Sequence, residues 1–255
     1  MSINTELIDL AKFMADEAGK IALSYYRQDF EIISKSDETP VTLADRGIEA
    51  RLREIIADKR PEDGFFGEEF ENTESQNGYT WVVDPIDGTK SFTIGRPTFG
   101  TLIGLCYEDE PILGIIDQCV SKERWIGIKG QATTFNGSVI KTRSCADLKS
   151  AVFGTGSPSQ IDKNDPKRFD RFDKECRYTV YQGDCYFYGL MANGAIDVLV
   201  EDQLGLYDYI ALVPIIEGAG GKITDWSGAK LTLSSGSNLL AVGDPKLHAK
   251  ALALL

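Results

Sequence analysis

Residues 81–92 read WVVDPIDGTKSF. An apolar run ends in Asp84, a proline follows, and a second carboxylate arrives at Asp87 before Gly88 and Thr89. A turn explains the proline and the glycine: Pro85 fixes φ and removes a backbone donor, and Asp87-Gly88 suits a turn tip. It does not explain both acids. Two carboxylates three residues apart, with a backbone carbonyl between them, can converge on a hard cation, which takes oxygen ligands. Gly88 lets the backbone approach a ligand closely. Thr89 is placed to open a helix, whose first N–H groups bind phosphate. The stretch therefore predicts a strand that stops at Pro85 and presents metal ligands beside phosphate donors, the pairing that metal-assisted phosphoryl hydrolysis needs.

Outward from this point the pattern is sheet on one side and helix on the other. Downstream, TFGTLIGLCY (98–107), PILGIIDQCV (111–120) and RWIGIK (124–129) are rich in β-branched, Leu and aromatic residues and are separated by turn clusters. They predict consecutive, largely antiparallel strands. Upstream, Leu7, Leu10, Ala11, Met14, Ala18, Ile21, Ala22 and Tyr25 recur at helical spacing over 5–27, and Ile48, Leu52, Ile55 and Ile56 do so over 44–60, which Pro61 ends. Beyond AVFGTG (151–156), helices are expected over 165–177, 184–192 and 207–217, with strands over 196–200, 222–225 and 239–242 and a short closing helix. The fold class expected is a mixed α+β or α/β layered sandwich, two sheets with helices packed on them. A boundary in 145–150 divides the chain into an N-terminal half, 1–147, carrying most of the metal ligands, and a C-terminal half, 148–255, completing the site.

Composition narrows the chemistry. The formal net charge of −12 over 255 residues argues against a nucleic-acid partner and permits cations. No apolar run reaches the roughly 18 residues of a membrane span. MSINTELIDLAKF shows no secretory signal pattern, so a cytoplasmic location is expected. The five cysteines are widely spaced without a CxxC, which suits reduced, mostly buried thiols. The single histidine, His248, is expected on the surface of the last helix. Histidine-dependent triads and multi-histidine zinc sites are thereby disfavoured, and carboxylates holding Mg, Ca or Mn are favoured. Trp81, Trp125 and Trp226 are expected in the core.

Three further acidic features fit an oxygen-rich site, each with a plainer explanation beside it. In 67-GEEF-70 adjacent acids of a strand would point to opposite faces, so one of Glu68 and Glu69 would meet a metal and the other assist. In 206-LYDYIALVPIIEGAGG-221, Asp208 opens an apolar helical run, where a capping preference would also place it. In 41-VTLADRGIEA-50, Thr42 and Asp45 match a capping box, and Asp45 could also reach a metal-bound water. The Gly/Ser cluster 154-GTGSPS-159 has no lysine at phosphate-loop spacing and reads as a loop.

In this order, GEE, DPIDGT and an aromatic-Asp followed by a helix ending GAGG resemble the inositol monophosphatase superfamily, over essentially the whole chain. The resemblance implies an αβαβα layered fold, a Mg-dependent, Li-sensitive phosphomonoesterase, and a homodimer. It implies two or three Mg2+ per site, with Mn2+ a possible substitute. Glu68, Asp84 and the Ile86 carbonyl would hold one ion, and Asp84, Asp87 and Asp208 a second. Thr89, Glu68, Asp45 and Thr42 would orient the attacking water, and the N–H groups of Gly88 and Thr89 would hold phosphate. Glu201 matches the position that binds the alcohol part of the substrate, Glu69 a supporting acid, and Lys35 a lysine near a third ion.

Other stretches are similar to the histidinol-phosphate phosphatase branch: 99-FGTLIG-104, 116-IDQCVSKERWIG-127, 182-QGDCYFYGLMANGAIDVLVE-201 and 207-YDYIALVPIIEGAGG-221. That branch implies L-histidinol phosphate as substrate, a step of histidine biosynthesis. Histidinol is cationic, and an acidic pocket would favour it over neutral inositol. Glu201 and Asp184 are the specificity candidates, with helix capping the plainer role for Asp184; Asp202 is expected on the surface. The alternative is an inositol-1-monophosphatase or a broad sugar or nucleotide phosphatase using the same metal site. A non-catalytic acidic protein that binds a divalent ion comes third.

Overall fold

The computed structural model describes residues 3–28, 32–34, 40–161 and 164–255. Helix α1 (Thr5–Tyr25) opens on Asn4, whose side chain accepts the Glu6 N–H. A small antiparallel ribbon, β1 (Ile32–Ser34) and β2 (Pro40–Thr42), leads into α2 (Leu43–Lys59). The first large sheet follows: β3 (Gly64–Gly67), β4 (Tyr79–Asp87), β5 (Gly100–Tyr107), β6 (Glu110–Gln118), β7 (Glu123–Ile128), β8 (Thr134–Phe135) and β9 (Ser138–Val139), with α3 (Thr89–Thr93) after β4. Its strand order is its sequence order, antiparallel except for the β3–β4 pair.

The second sheet is mixed, in the order β11 (Tyr178–Tyr181), β10 (Val152–Thr155), β12 (Val198–Glu201), β14 (Leu239–Val242) and β13 (Lys222–Thr224). Helices α4 (Pro158–Ile161), α5 (Arg168–Glu175), α6 (Tyr186–Ala192), α7 (Leu206–Tyr209), α8 (Leu212–Gly218) and α9 (His248–Leu252) surround it. The run expected as one helix over 207–217 is two short helices. Strand β11, the β8–β9 ribbon and α3 had no strong periodic signal because each is only a few residues long.

Side-chain alternation along the strands builds three apolar layers. Trp81, Val83, Ile103, Leu105, Leu113 and Ile115 face α1 and α2. Val82, Leu102, Ile116 and Trp125 face the opposite way, onto Tyr188, Met191, Ile210, Leu212, Ile215 and Ile216 and, beyond them, Leu199, Ile223, Leu239 and Ala241 of the second sheet. On that sheet's far face Phe153, Val198, Val200, Leu240 and Val242 pack against Ile161, Phe172, Leu247 and Ala251. Helices, sheet, helices, sheet, helices: the layering is αβαβα, as the resemblance implies.

One register feature sets how close the middle helices come. Gly104, Gly114 and Gly127 are directly opposed across β5, β6 and β7. A side chain at Gly114 would meet the Ala211 carbonyl at 1.8 Å, and one at Gly127 the Ile215 backbone at 2.3 Å. The row of missing Cβ atoms therefore lets the α7–α8 segment lie directly on the sheet.

Two core expectations need correction. His248 is buried, not exposed, and its Nε2 lies 2.8 Å from the Thr224 hydroxyl; the last helix packs this face inward, and burial lowers the imidazole pKa. Trp226 is half-buried, with the Arg168 guanidinium 4.2 Å above its ring, whereas Trp81 and Trp125 are fully buried. All five cysteines are free thiols, four of them buried. Among the described residues no helix is long and apolar enough to cross a membrane.

Candidate metal and phosphate site

Strand β4 does not stop at Pro85. It continues to Asp87 through a bulge: Asp84 is opposite Leu102, and Asp87 is opposite Gly100, so β4 spends one residue more than β5. A bulge inverts the alternation beyond it. Val82 faces the middle layer, whereas Ile86, four residues on, joins the α1–α2 core instead. Asp87 consequently faces the same side as Asp84, which an unbroken strand would forbid. The Thr101 hydroxyl fastens the bulge by donating to the Pro85 carbonyl at 2.8 Å, and Asp84 accepts the Ile86 N–H at 3.0 Å. Pro85 fits because a bulged residue owes the ladder no N–H.

Asp208, on α7, meets this pair from the middle layer. One carboxylate oxygen from each of Asp84, Asp87 and Asp208 lies within 4.8 Å of the others. Asp208 also accepts the Gly205 N–H at 2.6 Å, so both of its expected roles, capping and clustering, are met at once. The electrostatics are those of a site that wants a cation. Burial, then the charges of Glu68, Asp87, Asp208 and Asp45, push Asp84 well above the ordinary carboxylate range. Burial and the charges of Asp184 and Asp208 raise Asp87, against hydrogen bonds from Cys185. Burial raises Asp208 to about 6, against its hydrogen bonds to Gly205 and Asp84. A divalent ion relieves this repulsion with the oxygen donors that hard cations prefer, so the residues fit such an ion.

Glu68 is half-buried and outside the tight cluster, but its charge acts on Asp84. Glu68 and Glu69 lie in a bend just beyond β3, not within a strand, so strict alternation does not govern them. Asp45 is buried on the first turn of α2, and its charge also reaches Asp84. The side chain of Thr42 and all of Lys35 lie outside the described residues.

The turn at Gly88 and Thr89, the expected phosphate donors, is left-handed at Gly88. Gly88 adopts φ 85° and precedes α3 with no side-chain cap. A side chain there would be strained by this φ and would lie 2.6 Å from the Asp184 carboxyl carbon. Thr89 donates its hydroxyl to the Ile86 carbonyl at 3.2 Å. That carbonyl retains a second lone pair.

Asp184 does not cap α6, which begins at Tyr186 without a side-chain cap. It holds a left-handed φ of 48° and accepts the hydroxyls of Ser91 at 2.6 Å and Thr98 at 2.9 Å, with Arg96 3.9 Å away. The next residue, Cys185, donates its N–H to Asp87. Two consecutive residues of the second half thus hold the 87–98 segment of the first. Ser91, Thr98 and Cys185 were not legible as site residues, because the contact spans more than eighty positions. Glu201 ends β12 and accepts the Tyr188 hydroxyl at 2.6 Å. Burial, with the charges of Asp208 and Asp184, raises Glu201 to about 7 despite that hydrogen bond. Asp87, Asp184, Tyr188, Glu201 and Asp208 line one cavity of about 200 Å³. Asp202 is buried rather than exposed; it turns away to accept the Gln203 N–H and the Ser237 hydroxyl.

The profile of the inositol monophosphatase family matches residues 3–255. Among curated relatives, the chain is 43% identical to bifunctional phosphatase IMPL2, chloroplastic, of Arabidopsis thaliana, covering 95% of the chain and 72% of the relative. It is 35% identical to a histidinol-phosphatase of Chlorobaculum parvum, covering 93% and 92%. Among solved structures, an inositol monophosphatase from Zymomonas mobilis is 44% identical, with a TM-score of 0.90 over 100% of this chain and 99% of that one.

Proposed function

Because the chain belongs to the inositol monophosphatase family, we propose that it is a Mg2+-dependent phosphomonoesterase that accepts more than one alcohol, inositol monophosphate and L-histidinol phosphate among them. The strongest support is the convergence of Asp84, Asp87 and Asp208 within 4.8 Å beside the Gly88–Thr89 turn. An exclusive histidinol phosphatase, the reading favoured by branch-like stretches of sequence, is broadened for a specific reason. The relative at 43% identity is named a bifunctional phosphatase, and the solved structure at 44% an inositol monophosphatase, while histidinol-phosphatases stand at 35% and 34%.

In this proposal Glu68, Asp84 and the Ile86 carbonyl would hold one ion, and Asp84, Asp87 and Asp208 would hold a second. Such ions, when bound, supply Lewis-acid activation of water and neutralise charge on the leaving alcohol. The chain's own groups do the rest. Thr89, with its proton committed to the Ile86 carbonyl, would offer lone pairs to a water's proton, assisted by Glu68 and Asp45, whose charges both reach Asp84. Gly88 and Thr89, at the turn that opens α3, would offer their N–H groups to phosphate. Glu201, near neutrality and braced by Tyr188, meets the alcohol. Asp184, already committed to Ser91 and Thr98, borders the same cavity and adds negative potential that suits an ammonium or imidazolium. Mn2+ as a substitute ion and a homodimeric assembly belong to the same proposal.

The test is phosphate release from L-histidinol phosphate and from inositol 1-phosphate, each with Mg2+ and with EDTA. Mg2+-dependent turnover of both is expected. Turnover of histidinol phosphate alone would restore the narrower specificity. Metal binding without turnover of any phosphate monoester would overturn the enzymatic reading.

A further inference from the structure

Helix α2 carries a carboxylate in its apolar stripe. Glu49 is fully buried, one turn beyond Asp45 and in line with Leu52 and Ile56 on the inward face. A buried acid must be paired or hydrogen-bonded to persist. Its partners are backbone groups of the bend that follows β3. One oxygen accepts the Glu69 N–H at 2.7 Å. The other accepts the Phe70 N–H at 3.3 Å and the Arg53 Nε at 2.8 Å. Arg53 closes the ring by donating to the Phe70 carbonyl at 3.2 Å. Gly67 leaves room for this: a side chain there would fall 2.2 Å from a Glu49 oxygen.

The bend held this way is the one that carries Glu68, whose charge acts on Asp84. We infer that Glu49 is a positioning residue: its carboxylate, fastened by Arg53, fixes the Glu68–Phe70 backbone and thereby holds Glu68 toward Asp84, with which it would share an ion. The inference rests on the metal-site reading proposed above. A ligand on a bend has no ladder to hold it, and such outer partners tune metal affinity by about 10- to 100-fold. Glu49 therefore acts on ion affinity, not on the proposed alcohol subsite, which Glu201 of β12 and Tyr188 of α6 build.

The test is Mg2+ binding by isothermal titration calorimetry to the full chain and to Glu49→Gln, with no substrate present, followed by Mg2+ titration of phosphate release. Glutamine keeps the shape and one acceptor but turns an NH2 group toward a backbone donor or Arg53. A weakening of Mg2+ affinity of about tenfold is expected. Rate is expected to recover at high Mg2+, with KM for the phosphate ester unchanged. Arg53→Met, which leaves the Glu49 carboxylate but loosens it, is expected to move affinity the same way by less, and serves if Glu49→Gln does not fold. Unchanged Mg2+ affinity in a folded Glu49→Gln, or in Arg53→Met where only that variant folds, would overturn the inference while leaving the metal site intact. Absence of Mg2+ binding by the parent chain would overturn the metal reading itself, and is recognised from the parent alone.

Discussion

Asp84 and Asp87 face the same side of β4 although they are three residues apart, because the strand carries one extra residue between them. The DPID string thus makes chemical sense only as a bulge. The proline is tolerated there, the second acid is returned to the first acid's face, and the carbonyl of Ile86 is left beside Thr89.

Asp87→Asn should abolish one charge of the cluster while keeping its shape and the contact with the Cys185 N–H. Phosphate release at saturating ester is expected to fall on the order of a hundredfold or more, with Mg2+ affinity weakened. Steady-state rates across a Mg2+ series, alongside calorimetry, check both. Unchanged rate with unchanged affinity would remove Asp87 from the ligand set.

Gly88→Ala tests the cradle. The residue sits at φ 85° and faces the Asp184 carboxyl group at 2.6 Å from where a Cβ would stand. Left-handed strain alone costs about 1–2 kcal/mol, and the clash adds to it or expels Asp184 from Ser91 and Thr98. Urea unfolding should show a loss of at least that size, and activity should fall further than stability does. A variant as stable and active as the parent would show that the turn is not required.

Glu201→Gln separates the two substrates. Removing the charge leaves the Tyr188 contact possible but deletes the anion that, in the proposed reading, faces a cationic alcohol. KM for L-histidinol phosphate should rise about tenfold, the scale of one charge-assisted hydrogen bond. KM for inositol 1-phosphate should move less. Equal changes for both would mean that Glu201 does not distinguish charge.

Proton and metal should compete for the same carboxylates. Asp208 is raised to about 6 and Glu201 to about 7 in the folded chain. Both ionise near pH 4 when unfolded. Between those values the folded state holds protons that the unfolded state has released, so stability contributed by these groups is present below about pH 4 and lost as pH rises through 6 to 7. In EDTA, this contribution should lower the melting temperature between pH 5 and pH 8. Mg2+ should raise it more at pH 8 than at pH 5. Differential scanning fluorimetry over that grid checks the sign; an equal Mg2+ effect at both values would show that protons and ion do not share these groups.

The sequence by itself determined the elements with long periodicity, helices α1 and α2 and strands β4 to β7, because burial at every second or every third and fourth position is a local property of the chain. It also singled out Asp84 and Asp87 as candidate ligands, since DPIDGT concentrates chemistry that an ordinary turn does not need. Only the tertiary structure decided how those acids meet. Asp208 reaches Asp84 because a row of three glycines lets α7 and α8 lie on the first sheet. Asp184 became a tie to Ser91 and Thr98, and His248 moved inside, because their partners are far away in sequence. Glu49 was hidden for the same reason: an acid in an apolar stripe is intelligible only when the backbone N–H groups it satisfies, twenty residues on, are seen beside it.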